Sequence, residues 1–195
     1  MKKGLLSFIA FSLVFCLSLS IIGCGGGEHS LIISKDRARD IGDWTLDVIA
    51  NSGDFGIEDE VNIQELLAHD DVNLVFIDFW ATWCEPCKAS MPYLDQVYQD
   101  YKDQGLAMLF ISVDVNNDTF YRRMMDDLEH LNVSYPIPWD YDSEVKNYLG
   151  VGAIPASFLV DTDGKIRYEH TGFTSEEIDI PPLREAIDLL LEEIN

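Results

Sequence analysis

The cysteines at positions 84 and 87 are the residues of this chain whose type and spacing point most directly to chemistry. They flank Glu85 and Pro86 as a Cys-x-x-Cys pair, and an apolar run, residues 74–80, lies just upstream. A strand that delivers two cysteines to the start of a helix is typical of a dithiol or disulfide redox site. Because free N–H groups and the helix dipole favour an anion there, we expect Cys84 to be the attacking thiolate and Cys87 to resolve the mixed disulfide.

Asp78 is the second residue that could do chemistry, because it interrupts the apolar run that predicts a buried strand. Burying a carboxylate without a partner is costly, so its position needs a function or a donor from elsewhere in the fold. We predict that Asp78 accepts the proton of Cys87 during exchange and that burial raises its pKa. The alternative is an aspartate at a polar strand edge.

The first 24 residues read as an export signal rather than as part of a fold. Two lysines follow Met1, residues 5–22 are largely apolar, and Gly23 and Cys24 follow in a pattern that resembles a bacterial lipobox. We therefore predict a lipoprotein signal peptide over residues 1–23, a lipid on Cys24, and a domain tethered to the periplasmic side of a bacterial membrane. The alternative is an uncleaved anchor helix, since about 18 apolar residues approach the length that spans a bilayer.

Removal of the signal peptide reduces the number of cysteines that are available for chemistry. Cys16 leaves with the signal peptide and Cys24 carries the lipid, so only Cys84 and Cys87 remain for other chemistry. Glycines and polar residues follow Cys24, and we predict a flexible tether over residues 24–41 and a single domain over residues 42–195.

Composition and charge exclude one class of partner. The chain has 195 residues, 47% of them hydrophobic, which is enough for a sizeable core. Its formal net charge is -22, with acidic residues spread along the chain. Such a surface repels phosphates, so no nucleic-acid partner is expected, and a well-solvated surface is its simplest interpretation.

Hydrophobic periodicity predicts an α/β fold with parallel middle strands and an antiparallel last pair. Pro92 is expected to kink the helix that carries the cysteines, and Ser143 is expected to cap a later helix. Gly105 and Gly150 are expected to end helices. The predicted strands span residues 44–50, 74–80, 106–113, 156–160 and 165–171, and the predicted helices span residues 61–68, 84–104, 119–131, 143–149 and 181–194.

Residues 75–88 closely resemble the active site of the thioredoxin superfamily. Together with the signal segment, the Trp-Cys-x-Pro-Cys form and the later residues 150–161, they resemble the extracytoplasmic TlpA/ResA group of tethered thiol–disulfide oxidoreductases. The resemblance implies a thioredoxin-like fold, in which a central mixed sheet is flanked by helices, and a reductant of protein disulfides. It also implies a cis Ile154–Pro155 bond packed against the disulfide, with the Ile154 backbone pairing with a substrate peptide.

One position departs from the cytochrome-maturation members of that group. They carry a glutamate six residues after the first cysteine, where this chain has Ser90. Cytochrome c maturation is therefore only one candidate use of the site. Trp83 and Pro86 are further expected substrate contacts, and Tyr93 and Trp80 are candidates for the same docking surface, although core packing explains Trp80 equally well.

The expected partners follow from this chemistry. The exchange needs no cofactor beyond the redox-active disulfide, and its substrates would be protein thiols and disulfides. Reducing power would come from a membrane-embedded donor, because soluble thiol buffers do not act in the periplasm.

Other functions remain as alternatives at this point. The main one is a copper-binding thioredoxin-like metallochaperone that pairs the cysteines with His170, although such proteins usually have three residues between the cysteines. A zinc site is disfavoured because the sequence offers no second pair of cysteine or histidine ligands. A thiol peroxidase is disfavoured because it needs a lone cysteine in a different sequence setting. An inert structural disulfide is disfavoured because it would not need Asp78.

Overall fold

The computed structural model describes residues 32–131 and 133–194, and its described strands form one seven-stranded mixed sheet. The order across the sheet is β2-β1-β5-β4-β3-β6-β7, with β3 parallel to β4 and β6 antiparallel to both β3 and β7. The predicted arrangement of the middle and last strands is thereby confirmed. The strands are β1 (Thr45–Ala50), β2 (Glu60–Asn62), β3 (Leu74–Trp80), β4 (Leu106–Ser112), β5 (Ile137–Trp139), β6 (Ala156–Asp161) and β7 (Ile166–Thr171).

Five α-helices accompany the sheet in the described part of the chain. The helix that follows the cysteines runs without a break through Pro92, and a 3₁₀ turn then leads to Gly105, whose φ of 84° ends it as predicted. Gly150 likewise follows a helix with a positive φ. The helices are α1 (Ile63–Leu67), α2 (Glu85–Tyr101), α3 (Asp118–Leu131), α4 (Glu144–Tyr148) and α5 (Glu176–Ile194).

The centre of the core is the pair β3 and β4, in which every residue is buried. Parallel central strands are covered on both faces, which explains why their sequences are continuous apolar runs rather than alternating ones. Asp78 is the only charged residue in either strand. The core therefore fixes the position of Asp78 as firmly as that of its apolar neighbours.

The segment predicted as a helix over residues 61–68 is divided between a strand and a helix. Val61 pairs with Leu46 in the sheet, and α1 starts only after Asn62. The Asn62 side chain accepts hydrogen bonds from the backbone N–H groups of Gln64 and Glu65, so it is the cap that sets this helix start.

The prediction that Ser143 caps α4 is wrong. Ser143 occupies the position before the helix with a φ of 62°, and its side chain makes no capping bond. The buried carboxylate of Asp140 instead accepts from the backbone N–H groups of Val145 and Lys146. A cap three residues upstream of Ser143 replaces the local one.

The last helix begins earlier than the proline at position 181 indicates. Its first residue is Glu176, so Pro181 and Pro182 lie inside the helix. Asp179 holds this start, since one of its oxygens accepts from the backbone N–H groups of Thr174 and Ser175. The extra turn is thus stabilised by a side chain that the proline pattern does not reveal.

The described part of the predicted tether is attached to the domain. Ile33 donates to the carbonyl of Arg167 at 2.6 Å, and Ile41 donates to the carbonyl of Gly164 at 2.8 Å. The buried Arg167 guanidinium returns a bond to the Ile33 carbonyl and pairs with Asp161 at 3.0 Å. We call residues 33–41 the strap; these bonds attach it to the domain, and the boundary at residue 42 stays a prediction.

The predicted signal peptide, the lipidation site Cys24 and tether residues 24–31 lie outside the described residues. Within the described ranges, no helix combines the length and the apolar composition needed to cross a bilayer.

Candidate active site

The two cysteines form a disulfide at the start of α2. Cys84 is the residue before the first helical turn, and its Sγ accepts a hydrogen bond from the backbone N–H of Cys87 at 3.3 Å. The helix start therefore already directs an N–H group at the sulfur of Cys84. The same donor would stabilise a thiolate after reduction.

The surface around the disulfide gives a partner access at one edge. Cys87 is fully buried and Cys84 is 4% exposed, whereas Trp83 is 58% exposed. Pro86 is also exposed. The Glu85 carboxylate, which would oppose a thiolate, lies 2.8 Å from the Lys88 ammonium, so its charge is compensated. Cys84 is the less buried of the two cysteines.

A buried carboxylate holds the loop that precedes the cysteines. Asp114 accepts from the Thr82 backbone N–H at 2.8 Å and from its hydroxyl at 2.9 Å, and Ser112 is a third neighbour at 3.2 Å. Trp139 donates to the Asp114 carbonyl at 2.7 Å. Asp114 was not predicted as a site residue: it stands two residues after the end of β4, and its partner Thr82 is 32 residues away in the sequence.

Asp78 is fully buried behind the disulfide. The Ser157 hydroxyl donates to its Oδ1 at 2.5 Å, whereas its Oδ2 has no hydrogen-bond partner among the described residues. Burial raises the pKa of Asp78 to about 8, and the bond from Ser157 opposes this shift. The Cys87 Sγ lies 4.0 Å from the carbonyl oxygen of Phe79, the residue after Asp78. The acid and the buried thiol are thus at the same end of β3.

The segment before β6 brings a proline to the same region. The Ile154–Pro155 bond is cis, Pro155 is buried and Ile154 is half-buried. Pro155 lines a cavity of about 20 Å³ together with Asp78 and Ser157. The residues before β6 and the acid on β3 therefore meet at one place.

Ser90 of α2 also lines this cavity. It occupies the position at which the cytochrome-maturation proteins carry a glutamate. Its hydroxyl donates to the Cys87 carbonyl at 2.8 Å. A buried hydroxyl committed to a backbone carbonyl cannot act as an ionised base. Asp78 is consequently the carboxylate that faces the cavity from the cysteine side.

The remaining candidate site residues, Trp80, Tyr93 and His170, lie in different environments. Trp80 is fully buried and donates to the Phe110 carbonyl, so it belongs to the core. Tyr93 is half-buried and stacks on Phe173. The nearest acid to the His170 ring is Asp179, and among the described residues no group of three or more potential metal ligands lies together.

These features define a class: a thioredoxin-fold protein with a disulfide at a helix start and a cis-proline before the neighbouring strand. The chain belongs to the Redoxin family, whose sequence model matches residues 58–187. Among solved structures, it is similar to a thiol:disulfide interchange protein DsbE from Chlorobium tepidum, with a TM-score of 0.64 and 25% identity over 79% of this chain and 96% of that one. A thioredoxin domain from Bacteroides vulgatus gives a TM-score of 0.60 at 18% identity, over 79% and 96%, which confirms the fold.

Curated relatives match about half of the chain. The thiol-disulfide oxidoreductase ResA of Geobacillus thermodenitrificans is 36% identical over 106 residues, which are 53% of this chain and 57% of that protein. The ResA protein of Oceanobacillus iheyensis is 34% identical over 92 residues, 47% of this chain and 46% of that protein. The chain thus spans about half the length of these relatives.

Proposed function

We propose that this protein is a thiol–disulfide oxidoreductase that reduces disulfides of other proteins. The observation that carries the proposal is the Cys84–Cys87 disulfide at the start of α2, with a buried acid behind it. A structural disulfide would need neither the N–H group aimed at Cys84 nor a carboxylate in the core. The names of the ResA relatives support the same activity.

The first step uses the sulfur at the surface. The thiolate of Cys84 attacks one sulfur of the substrate disulfide, a mixed disulfide forms, and the other substrate sulfur leaves as a thiolate that takes a proton from water. The start of α2 stabilises the attacking thiolate through the Cys87 N–H group and the helix dipole.

The second step uses the buried groups. The Asp78 carboxylate takes the proton of the Cys87 thiol, and the new thiolate attacks the Sγ of Cys84. The Cys84–Cys87 disulfide forms and the substrate leaves as its second thiolate. Two electrons have then passed from the protein to the substrate. A carboxyl whose pKa lies near 8 can hold this proton and also release it close to neutral pH.

Substrate docking is proposed at the edge where Cys84 is accessible. Trp83 and Pro86 present exposed surface on one side of the sulfur. On the other side, Ile154 and Pro155 precede β6, and the Ile154 backbone can pair with an extended substrate segment. The substrates are protein thiols and disulfides. An apocytochrome c is one candidate substrate. We do not prefer it, because this chain has Ser90 where the cytochrome-maturation proteins carry a glutamate.

The proposed setting is the periplasmic side of a bacterial membrane. A signal peptide over residues 1–23, a lipid on Cys24 and a membrane-embedded electron donor complete this proposal. We expect Cys24→Ala to abolish lipid attachment and leave the precursor unprocessed, because a thioether to the lipid needs that sulfur. Labelled palmitate and a mobility shift on a blot measure this, and an acylated, processed Cys24→Ala protein would refute the anchor.

Activity is tested with the reduced protein and a model disulfide substrate such as insulin. The wild type should reduce it, and Cys84→Ser should lower the rate by on the order of 10³ or more, because the nucleophile is lost. Asp126→Asn, at an exposed position on α3, retains both thiols and serves as the control. A wild type that does not reduce any protein disulfide, although its own dithiol forms, would contradict the proposed function. The potential of the pair then sets the direction of electron flow.

A further inference from the structure

Three polar side chains lie side by side across β3, β6 and β7. Asp78 is directly opposite Ser157 in the antiparallel pairing of β3 with β6, and Ser157 is directly opposite His170 in the pairing of β6 with β7. Directly opposed residues of antiparallel strands share one face of the sheet. The row therefore leads from the fully buried acid to the edge strand, and its last member is a half-buried histidine.

Two members of this row have a buried atom without a hydrogen-bond partner among the described residues: Asp78 Oδ2 and His170 Nε2. Both residues line the same cavity of about 20 Å³. A cavity of roughly 10–15 Å³ or more accommodates one water molecule, provided that it offers polar partners. One water between the two atoms would satisfy both, and the Ser90 and Ser157 hydroxyls line the same space.

The histidine end of the row leads to solvent. The His170 side chain is 36% exposed, and its Nε2 lies 3.2 Å from Asp179 Oδ1 without the alignment of a hydrogen bond. Asp179 is fixed through its other oxygen by the N–H groups of Thr174 and Ser175. The His170 ring therefore lies beside a carboxylate whose position is fixed by two backbone N–H groups.

We propose that a water bound between Asp78 and His170 carries the proton of Asp78 to the His170–Asp179 pair and from there to solvent. The proposal rests on the proposed function, because Asp78 acquires that proton from Cys87. In the step itself, the water gives a proton to the imidazole and takes the one from the Asp78 carboxyl. The imidazolium then loses a proton to bulk water, so that Asp78 is again a carboxylate and no electrons move.

The charges around the row are compatible with this path. On the described elements packed against it we find no lysine or arginine that faces Asp78 or the His170 ring. The titratable groups that do face them are Tyr135 before β5, Tyr168 of β7 and Asp179 of α5. Among the described residues that line the cavity, His170 is the one basic side chain.

The test uses His170→Ala in the full-length protein. Steady-state turnover with the insulin substrate at pH 7, with excess dithiothreitol to return the Cys84–Cys87 disulfide to the dithiol, should fall by about tenfold, because release of the Asp78 proton becomes slow. The rate of Cys84 adduct formation, followed separately by quenched-flow trapping, should not change. Added imidazole should restore turnover in His170→Ala, since a small base can enter the space of the missing ring. His130→Ala is the matched control, because His130 also lies beside an aspartate but on the surface of α3.

The outcomes separate this proposal from the proposed function. Turnover of His170→Ala within twofold of the wild type, or a loss that imidazole does not restore, would overturn the proton path while leaving the dithiol chemistry intact. Absence of any Cys84 adduct in the wild type would instead overturn the proposed function.

Discussion

Replacing Cys87 with serine is expected to stop the exchange reaction at a stable mixed disulfide through Cys84. The attacking sulfur at the start of α2 is unaffected by the change, so the adduct still forms. A serine hydroxyl cannot displace the substrate from Cys84, and turnover should fall by on the order of 10³ or more. Cys87 is fully buried, so no substrate thiol can replace it from outside. Mass spectrometry of the adduct and the insulin turnover rate measure the two effects.

Cys84→Ser provides the opposite control, because it keeps the buried thiol and removes the accessible one. It should form no adduct under the same conditions. If Cys87→Ser folds normally, as judged by its circular dichroism, and yet traps nothing, then Cys84 is not the attacking residue.

Asp78→Asn is expected to slow exchange and to stabilise the fold in a pH-dependent way. Exchange at pH 7 should slow by about 10²-fold, since an amide cannot take the Cys87 proton. The sign of the stability effect follows from the carboxyl, whose pKa is raised from 3.8 to about 8 by burial. The native state holds this proton more tightly than the unfolded chain does, so the wild type loses stability as the pH rises from about 4 to about 8.

The amide in Asp78→Asn does not ionise, so the variant does not lose stability over this pH range. The variant should therefore match the wild type near pH 4 and become more stable above it, by up to about 5 kcal/mol at pH 8 and beyond. Urea unfolding at pH 5, 7 and 9 measures the difference, and Asp126→Asn, an exposed position on α3, is the control. Parallel unfolding profiles for wild type and Asp78→Asn, together with equal exchange rates, would assign Asp78 a structural role only.

Local patterns were sufficient for the strand and helix that carry the cysteines. The run of apolar residues in β3 is buried from end to end as predicted, and the position of Cys84 before α2 follows from the same pattern. Burial of Asp78 could also be predicted, because a single carboxylate inside such a run has no other place. These features depend on residues close to one another in sequence.

The partners of the site could not be predicted, because they depend on pairing between distant segments. Ser157 reaches Asp78 only through the register of β3 with β6, and Asp114 reaches Thr82 from the end of β4. A serine in a strand and an aspartate after one carry no local sign of their partner. The cap at Asp140 was missed for a related reason: Ser143 is the residue type expected at that position, but its left-handed backbone turns its side chain away from the role.

The strap has a consequence for the geometry of any membrane-anchored form of the protein. It joins the domain at Arg167, near the turn between β6 and β7, while Gly172 and Pro155 mark the opposite end of that hairpin, where the cysteines lie. Six strand residues separate the two ends by about 20 Å. The nine residues from a lipid at Cys24 to Ile33 can span at most about 30 Å. The end of the hairpin near the cysteines would then lie at most about 50 Å from the bilayer surface, and a substrate would have to bring its disulfide within that distance.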